Sequence, residues 1–203
     1  MFTAEINPSD LHDVLGNIEK VFYNKAVNAA PTELTGKFDF KLPVLDESVN
    51  MDMGEPDVSN VKLIDQTNWI SYAKKGDPDI SLQIPSLSDK IGELLGNRIG
   101  TALENAALKM KFQGYSTTPK KVVGSLLFVS DDELVVVYFP NVEIIATFSK
   151  SENDKPAYFN CKVTPIPDST GADFYIGIRQ VDAIAEGNAE GSEVTKDQTT
   201  ENE

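Results

Sequence analysis

Cysteine, histidine and tryptophan each occur once among the 203 residues. A lone Cys161 excludes an internal disulfide and any zinc cluster built on paired thiolates. His12 stands in a different segment, so no thiol–imidazole couple is legible. Cys161 lies within an apolar alternation and reads as a small buried side chain rather than a nucleophile. Basic residues are also short: 18 Lys and Arg against 32 Asp and Glu give a formal charge of −14. Phosphate binding draws on clustered cations that release counterions, so the chain reads as one that repels nucleic acid. No apolar run approaches the roughly 18 to 20 residues that cross a bilayer. The opening MFTAEINPSD lacks a basic start and an apolar centre, so no signal peptide is expected and the chain reads as intracellular when made.

Catalytic signatures are missing too. G-x-S-x-G does not occur, and Gly92, Gly96 and Gly100 lie four apart without the Lys-Ser or Lys-Thr that completes a phosphate-cradling loop. Carboxylates gather at Asp46, Glu47, Asp52, Glu55 and Asp57, and again at Asp77 and Asp79, but without the spacing of an EF-hand, and loop carboxylates are most often simply solvated. No spacing marks the two-carboxylate pair of a glycosidase. No catalytic residue, cofactor-binding residue, cofactor or metal ligand is nominated, and the expectation is a protein that is not an enzyme.

What the chain has is short apolar alternation, with 40% hydrophobic residues overall. From Asp131 to Ile178 it reads as a β-meander. Val135, Val137 and Phe139 alternate with Leu134, Val136 and Tyr138; Pro140-Asn141 then breaks the run before Val142, Ile144, Ala146 and Phe148 resume on one face. SKSENDKP turns the chain into Tyr158–Pro165, where Phe159, Cys161 and Val163 share a face, and Asp168-Ser169-Thr170-Gly171 leads to Phe174, Ile176 and Ile178. Asp131-Asp132 makes a tight hairpin back to a strand over 120–130.

Earlier segments are more varied. Asn7-Pro8-Ser9-Asp10 offers caps before Leu11, Val14, Leu15, Ile18, Val21 and Phe22, whose spacing of three and four predicts a helix over 10–24, weakened by Gly16. Phe38, Phe40, Leu42 and Val44 predict an edge strand that tolerates Pro43. Residues 46–79 form a long loop with strands inside it, bracketed by Gly54-Glu55-Pro56-Asp57 and Lys75-Gly76-Asp77-Pro78-Asp79. Loops of that length are usually functional or disordered. Val61, Leu63, Trp69, Ile70 and Tyr72 are too apolar for a solvated linker and are the candidate interface residues between subunits. Trp69 is open to two roles, an anchor for a partner or a side chain folded back on its own domain. Ile80, Leu82 and Ile84 mark a further strand. Ser86 or Ser88 caps a helix near 87–96, with Gly96 placed for a left-handed exit. Residues 97–109 fit either a second short helix or a loop feeding a strand at 108–114. Beyond Ala183 the apolar pattern ends in an acidic tail, 184–203, expected to be disordered.

The order of strand, long loop, strand (DPDISLQIPS), helix (LSDKIGELLG) and then a meander containing DDELVVVYFPNVEI, ATFSKSENDKPAYFNCKVTPIPD and GADFYIG resembles the major tail tube proteins of long-tailed bacteriophages, with the tubes of contractile injection machines as near neighbours. The likeness covers roughly residues 36–178 and rests on the Tyr138-Phe139-Pro140-Asn141-Val142 junction, the Lys150–Pro156 turn and the Asp168–Gly171 turn. It implies a mainly β fold, an antiparallel β-sandwich or partly closed barrel with one packed helix, over 36–183; the N-terminal helical arm over 1–35 is read from the apolar spacing alone. It implies a virion structural protein made in the host cytoplasm, self-associating into hexameric rings that stack into a tube. Tape measure, terminator and baseplate or tip proteins are its implied partners, and DNA passes through without sticking. The class that competes with it is a monomeric acidic module that binds a ligand or protein through the 46–79 loop.

Overall fold

A computed structural model describes residues 15–26, 31–64, 68–150, 153 and 156–179, without the side chains of Glu33 and Trp69. The protein is mainly β. Its principal element is an eight-stranded antiparallel sheet that curls into a half-barrel, so of the two expected architectures the partly closed barrel is the one formed.

The first strand, β1 (Ile18–Asn24), lies where a helix is predicted by the three-and-four spacing. Its sequence IEKVFYN is dense in β-branched and aromatic residues, and Val21 and Tyr23 alternate inward on a two-residue period. Tertiary pairing settles the contest, because β1 runs between β2 (Phe40–Leu42) and β9 (Lys121–Ser130) and hydrogen-bonds to both. Residues 18–24 therefore belong to the main sheet and not to a separate N-terminal arm. The helix start at 10–14 and His12 lie outside the described residues, as does the tail from 180 onward. The edge strand predicted around Pro43 is confirmed, though shortened to three residues.

The other strands of the sheet are β3 (Asn50–Asp52), β6 (Asp79–Ile84), β10 (Val135–Ser149), β11 (Tyr158–Pro165) and β12 (Tyr175–Ile178). The order is β2-β1-β9-β10-β11-β6-β3, with β12 also paired to β10. The expected break at Pro140-Asn141 is instead a bulge within one 15-residue strand. Proline has no N–H for the ladder, which confines it to such places. The bulge has two consequences. Before it Val137 and Phe139 point into the core; after it Val142, Ile144 and Ala146 do, so the extra residue shifts the inward phase from odd to even numbers. It is also where β10 changes partners, from β12 along Val135–Tyr138 to β11 along Val142–Ser149.

The one α-helix among the described residues, α1 (Asp89–Leu95), packs Ile91, Leu94 and Leu95 into the main core cluster of the sheet. Ser88 caps it by accepting the Ile91 N–H at 3.4 Å. Its exit is not left-handed: Gly96 is extended, with φ −81° and ψ 145°. The core that results holds Tyr23, Phe128, Phe139, Ile80, Leu82 and Ile84 with almost no exposure. At about 1.5–3 kcal/mol for each large side chain removed from water, this layer supplies most of the fold's stability. A smaller cluster on the opposite face, Leu127, Val129 and Tyr138, is roofed by Phe22, Leu34 and Phe38. Burial on both faces explains the near-continuous apolar run of β9.

Candidate functional site: two projecting arms

Two hairpins stand apart from the main sheet, each a two-stranded sheet of its own. The first pairs β4 (Asp57–Lys62) with β5 (Asn68–Lys74), inside the long loop. Every residue of β4 is exposed. Cross-strand partners share a face, so Val61, Ile70 and Tyr72 lie together, with Val61 opposite Ile70 and Tyr72 opposite Ser59. Val61, Leu63 and Tyr72 are exposed and Ile70 is half-buried. The structure thus brings Val61, Ile70 and Tyr72 onto one patch, while Leu63 follows the end of β4 near the tip. Trp69 is in β5, and its side chain lies outside the described residues.

The root of this arm is tight. Gly54, at φ +75°, passes so near Asp77 that a β-carbon would fall 2.5 Å from the Asp77 carbonyl oxygen, and a β-carbon on Gly76 would fall 2.4 Å from that of Glu55. Only glycine permits the two backbones to cross this closely. Lys75 ties the root to the last turn of the sheet through Asp173, at 2.6 Å. The glycine-bearing brackets seen in the sequence are thus the neck of the arm.

The second arm pairs β7 (Asn97–Asn105), where a short helix or loop is expected, with β8 (Met110–Ser116), which falls on the strand expected at 108–114 and runs two residues further. The helical spacing of Ile99, Ala102, Leu103 and Ala106 misleads because residues are inserted between Ile99 and Leu103, the pairing stepping from Ile99–Gly114 to Leu103–Phe112. Gln113 covers the loose carbonyls of Ile99 and Gly100, donating from Nε2 at 3.3 and 3.4 Å. One face of the arm is apolar and open: Ile99, Leu103, Met110 and Phe112 are 59%, 71%, 58% and 49% exposed. The other face carries Arg98, Glu104, Lys111 and Tyr115 and meets α1, where Arg98 donates to Asp89 at 2.8 Å. The Tyr115 ring lies against the helix over Gly92 and Gly96. Nothing in the sequence marks this arm as a candidate surface, since its apolar residues fall in an interrupted pattern; the Gly92–Gly96 pair was the available signal, and it reports ring packing rather than phosphate binding.

Beside the arm's root is a cleft of about 540 Å³, lined largely by apolar groups of Leu87, Ala146, Phe148 and Phe159 together with Tyr115. Elsewhere the polar chemistry is structural. The Asp168 carboxylate accepts hydrogen bonds from the Tyr175 hydroxyl at 2.6 Å, from Thr170 and from two backbone N–H groups, which holds it well below the usual range, at about 2. Burial pushes the Cys161 thiol up to about 12. Lys20 on β1 forms an ion pair with Glu133 in the β9–β10 turn. Among the described residues no three His, Cys, Asp or Glu side chains gather as metal ligands, and no helix is long and apolar enough to cross a membrane.

No family model matches the chain, and no curated protein or solved structure matches it.

Proposed function

We propose that the chain is a non-catalytic virion structural protein, a tail tube subunit that closes into hexameric rings and stacks to form the conduit for DNA. The observation that carries this reading is the pair of hairpin arms that leave the main sheet with open apolar residues while the sheet itself is an unclosed half-barrel. Isolated two-stranded hairpins are marginal in water, so arms of this kind are stabilised by covering surfaces. An unclosed sheet with short edges has backbone donors and acceptors for neighbours, which ring closure would use. A net charge of −14 suits a conduit that must not retain phosphate.

The test is light scattering with electron microscopy of the purified chain across a concentration series. Rings or hollow tubes at high concentration are expected; a chain that stays monomeric under every condition overturns the proposal. The competing module, a monomer gripping a partner through the 46–79 arm, would leave the second arm bare and predicts that monomeric outcome.

A further inference from the structure

Cations are scarce in this chain, yet four of its 18 gather around one cleft. Lys25 just past β1, Lys90 on α1, and Lys120 and Lys121 at the start of β9 line a cavity of about 620 Å³. Lys121 pairs with Glu143. Among the described residues no carboxylate pairs with the other three. Lys25 lies over the Phe40 ring at 5.9 Å, Lys120 donates to the Glu93 carbonyl oxygen at 2.6 Å, and Lys90 is exposed. The two acids of the lining, Asp39 and Glu93, turn to other donors: Asp39 accepts the Lys25 backbone N–H at 2.8 Å, and the Glu93 carboxylate lies 4.0 Å from Arg98. Even with Glu143 counted, lysines outnumber carboxylates around the cleft, in a chain whose net charge is −14.

The complement to this cleft is carried by the same chain. Residues 180–203 hold seven Asp or Glu and one Lys. Arg179 donates its N–H to the Leu134 carbonyl at 2.8 Å, which places the start of that segment beside the β9–β10 turn. The cleft lies at the other end of β9, eight residues from Ser130 to Val122, or about 27 Å along the strand. An extended chain covers up to about 3.3–3.6 Å per residue, so Glu190 and Glu193, 11 and 14 residues beyond Arg179, reach it with slack. A short tether holds the local concentration near about 1 mM, where weak carboxylate–ammonium contacts are populated. We infer that residues 186–193 bind the lysine cleft of their own copy, with their carboxylates set against Lys25, Lys90 and Lys120. Any other polyanion must then displace the tail to reach these cations. The contact needs no second copy, so it stands apart from the tube reading.

Zero-length carbodiimide coupling of the unmodified full chain, kept dilute and read by peptide mapping, tests it. Amide links within one chain, from Glu186, Glu190 or Glu193 to Lys25, Lys90 or Lys120, are expected, and about 0.5 M salt should suppress them. Tail links spread over the exposed lysines, or none at all, overturn the inference. Links found only between chains overturn it as well, because they seat the tail of another copy in the cleft. If the tail stays unlinked while inorganic tripolyphosphate protects Lys25 and Lys90 from acetylation, the cleft belongs to a phosphate-bearing ligand and the inference fails. As a second measurement, K25E/K90E should shift the amide resonances of residues 186–193, whereas K62E/K74E, the same charge change on the first arm, should leave them in place. Equal shifts in the two variants, or none in the first, contradict the contact.

Discussion

Tyr115 lies across Gly92 so closely that a β-carbon on the glycine would sit 2.3 Å from the phenol oxygen. The same ring meets Gly96, where a β-carbon would come within 2.6 Å of it and 2.7 Å of the Gly92 carbonyl oxygen. The helix thus offers a flat seat for the ring, and the seat fixes the angle at which the β7–β8 arm leaves the body. The two glycines differ in what an added methyl would push. At position 92 it meets the far end of a side chain that can swing outward, and alanine repays about 1 kcal/mol in helix propensity. At position 96 it meets backbone as well.

Gly96→Ala is therefore expected to destabilise the fold by about 1–3 kcal/mol, the usual cost of overpacking, whereas Gly92→Ala stays within about 1 kcal/mol of the parent. Thermal unfolding separates the two. Both variants displace Tyr115, so both should weaken assembly, and Gly92→Ala should do so with its stability intact.

Cys161 provides an internal reporter of folding. It is fully buried in the centre of β11, and burial raises its thiol from 9.0 to about 12. The native chain should give no reaction with a thiol reagent at pH 8, and one thiol per chain should appear in step with the loss of circular dichroism as urea is added. The pH dependence has a definite sign. The folded state keeps the thiol proton that the unfolded chain releases, so this contribution to stability is complete below pH 9 and is lost as pH rises from 9 toward 12.

Asp168 acts at the opposite end of the scale. Hydrogen bonds from Tyr175 and Thr170 lower its carboxyl from 3.8 to about 2, so its contribution is present above pH 3.8 and disappears as pH falls toward 2. Tyr175→Phe removes the largest of these bonds. In that variant the Asp168 carboxyl titration followed by NMR should move up toward the ordinary value, and β12 should exchange its amide protons faster. An unmoved titration contradicts the role assigned to Tyr175.

Much of the barrel was legible in the sequence because its strands alternate cleanly: Ile80, Leu82 and Ile84, or Phe159, Cys161 and Val163, face inward as the pattern predicts. The capping Ser88 was legible for the same local reason. Errors occurred where backbone irregularity shifts the phase. The bulge at Pro140-Asn141 moves the inward positions from odd to even and imitates a break, and the insertion between Ile99 and Leu103 makes a hairpin imitate a helix. In β1 the helical spacing was real, but pairing on both sides outweighed it. Of the candidate interface residues, Val61, Ile70 and Tyr72 share one face of the first arm, and they were legible as a group because apolar residues stand out in a long loop. The second arm escaped notice because its exposure is a tertiary fact, set by the docking of Tyr115 and Arg98 on α1.

The neck between Gly54 and Gly76 makes the first arm removable. A β-carbon on Gly54 would lie 2.9 Å from the Asp77 nitrogen, so the chain on either side of the arm is already in contact where a deletion of 55–76 would join it. Neither hydrophobic cluster draws a residue from that segment. What is lost from the body is the Lys75–Asp173 pair, a surface contact with Lys75 largely exposed, worth under about 1 kcal/mol. The deletion variant should keep its strand-rich circular dichroism and unfold in one step close to the parent midpoint, yet fail to build particles at concentrations where the parent does. Loss of the fold would mean that the arm packs on the core, and normal assembly would mean that the joining surface lies elsewhere.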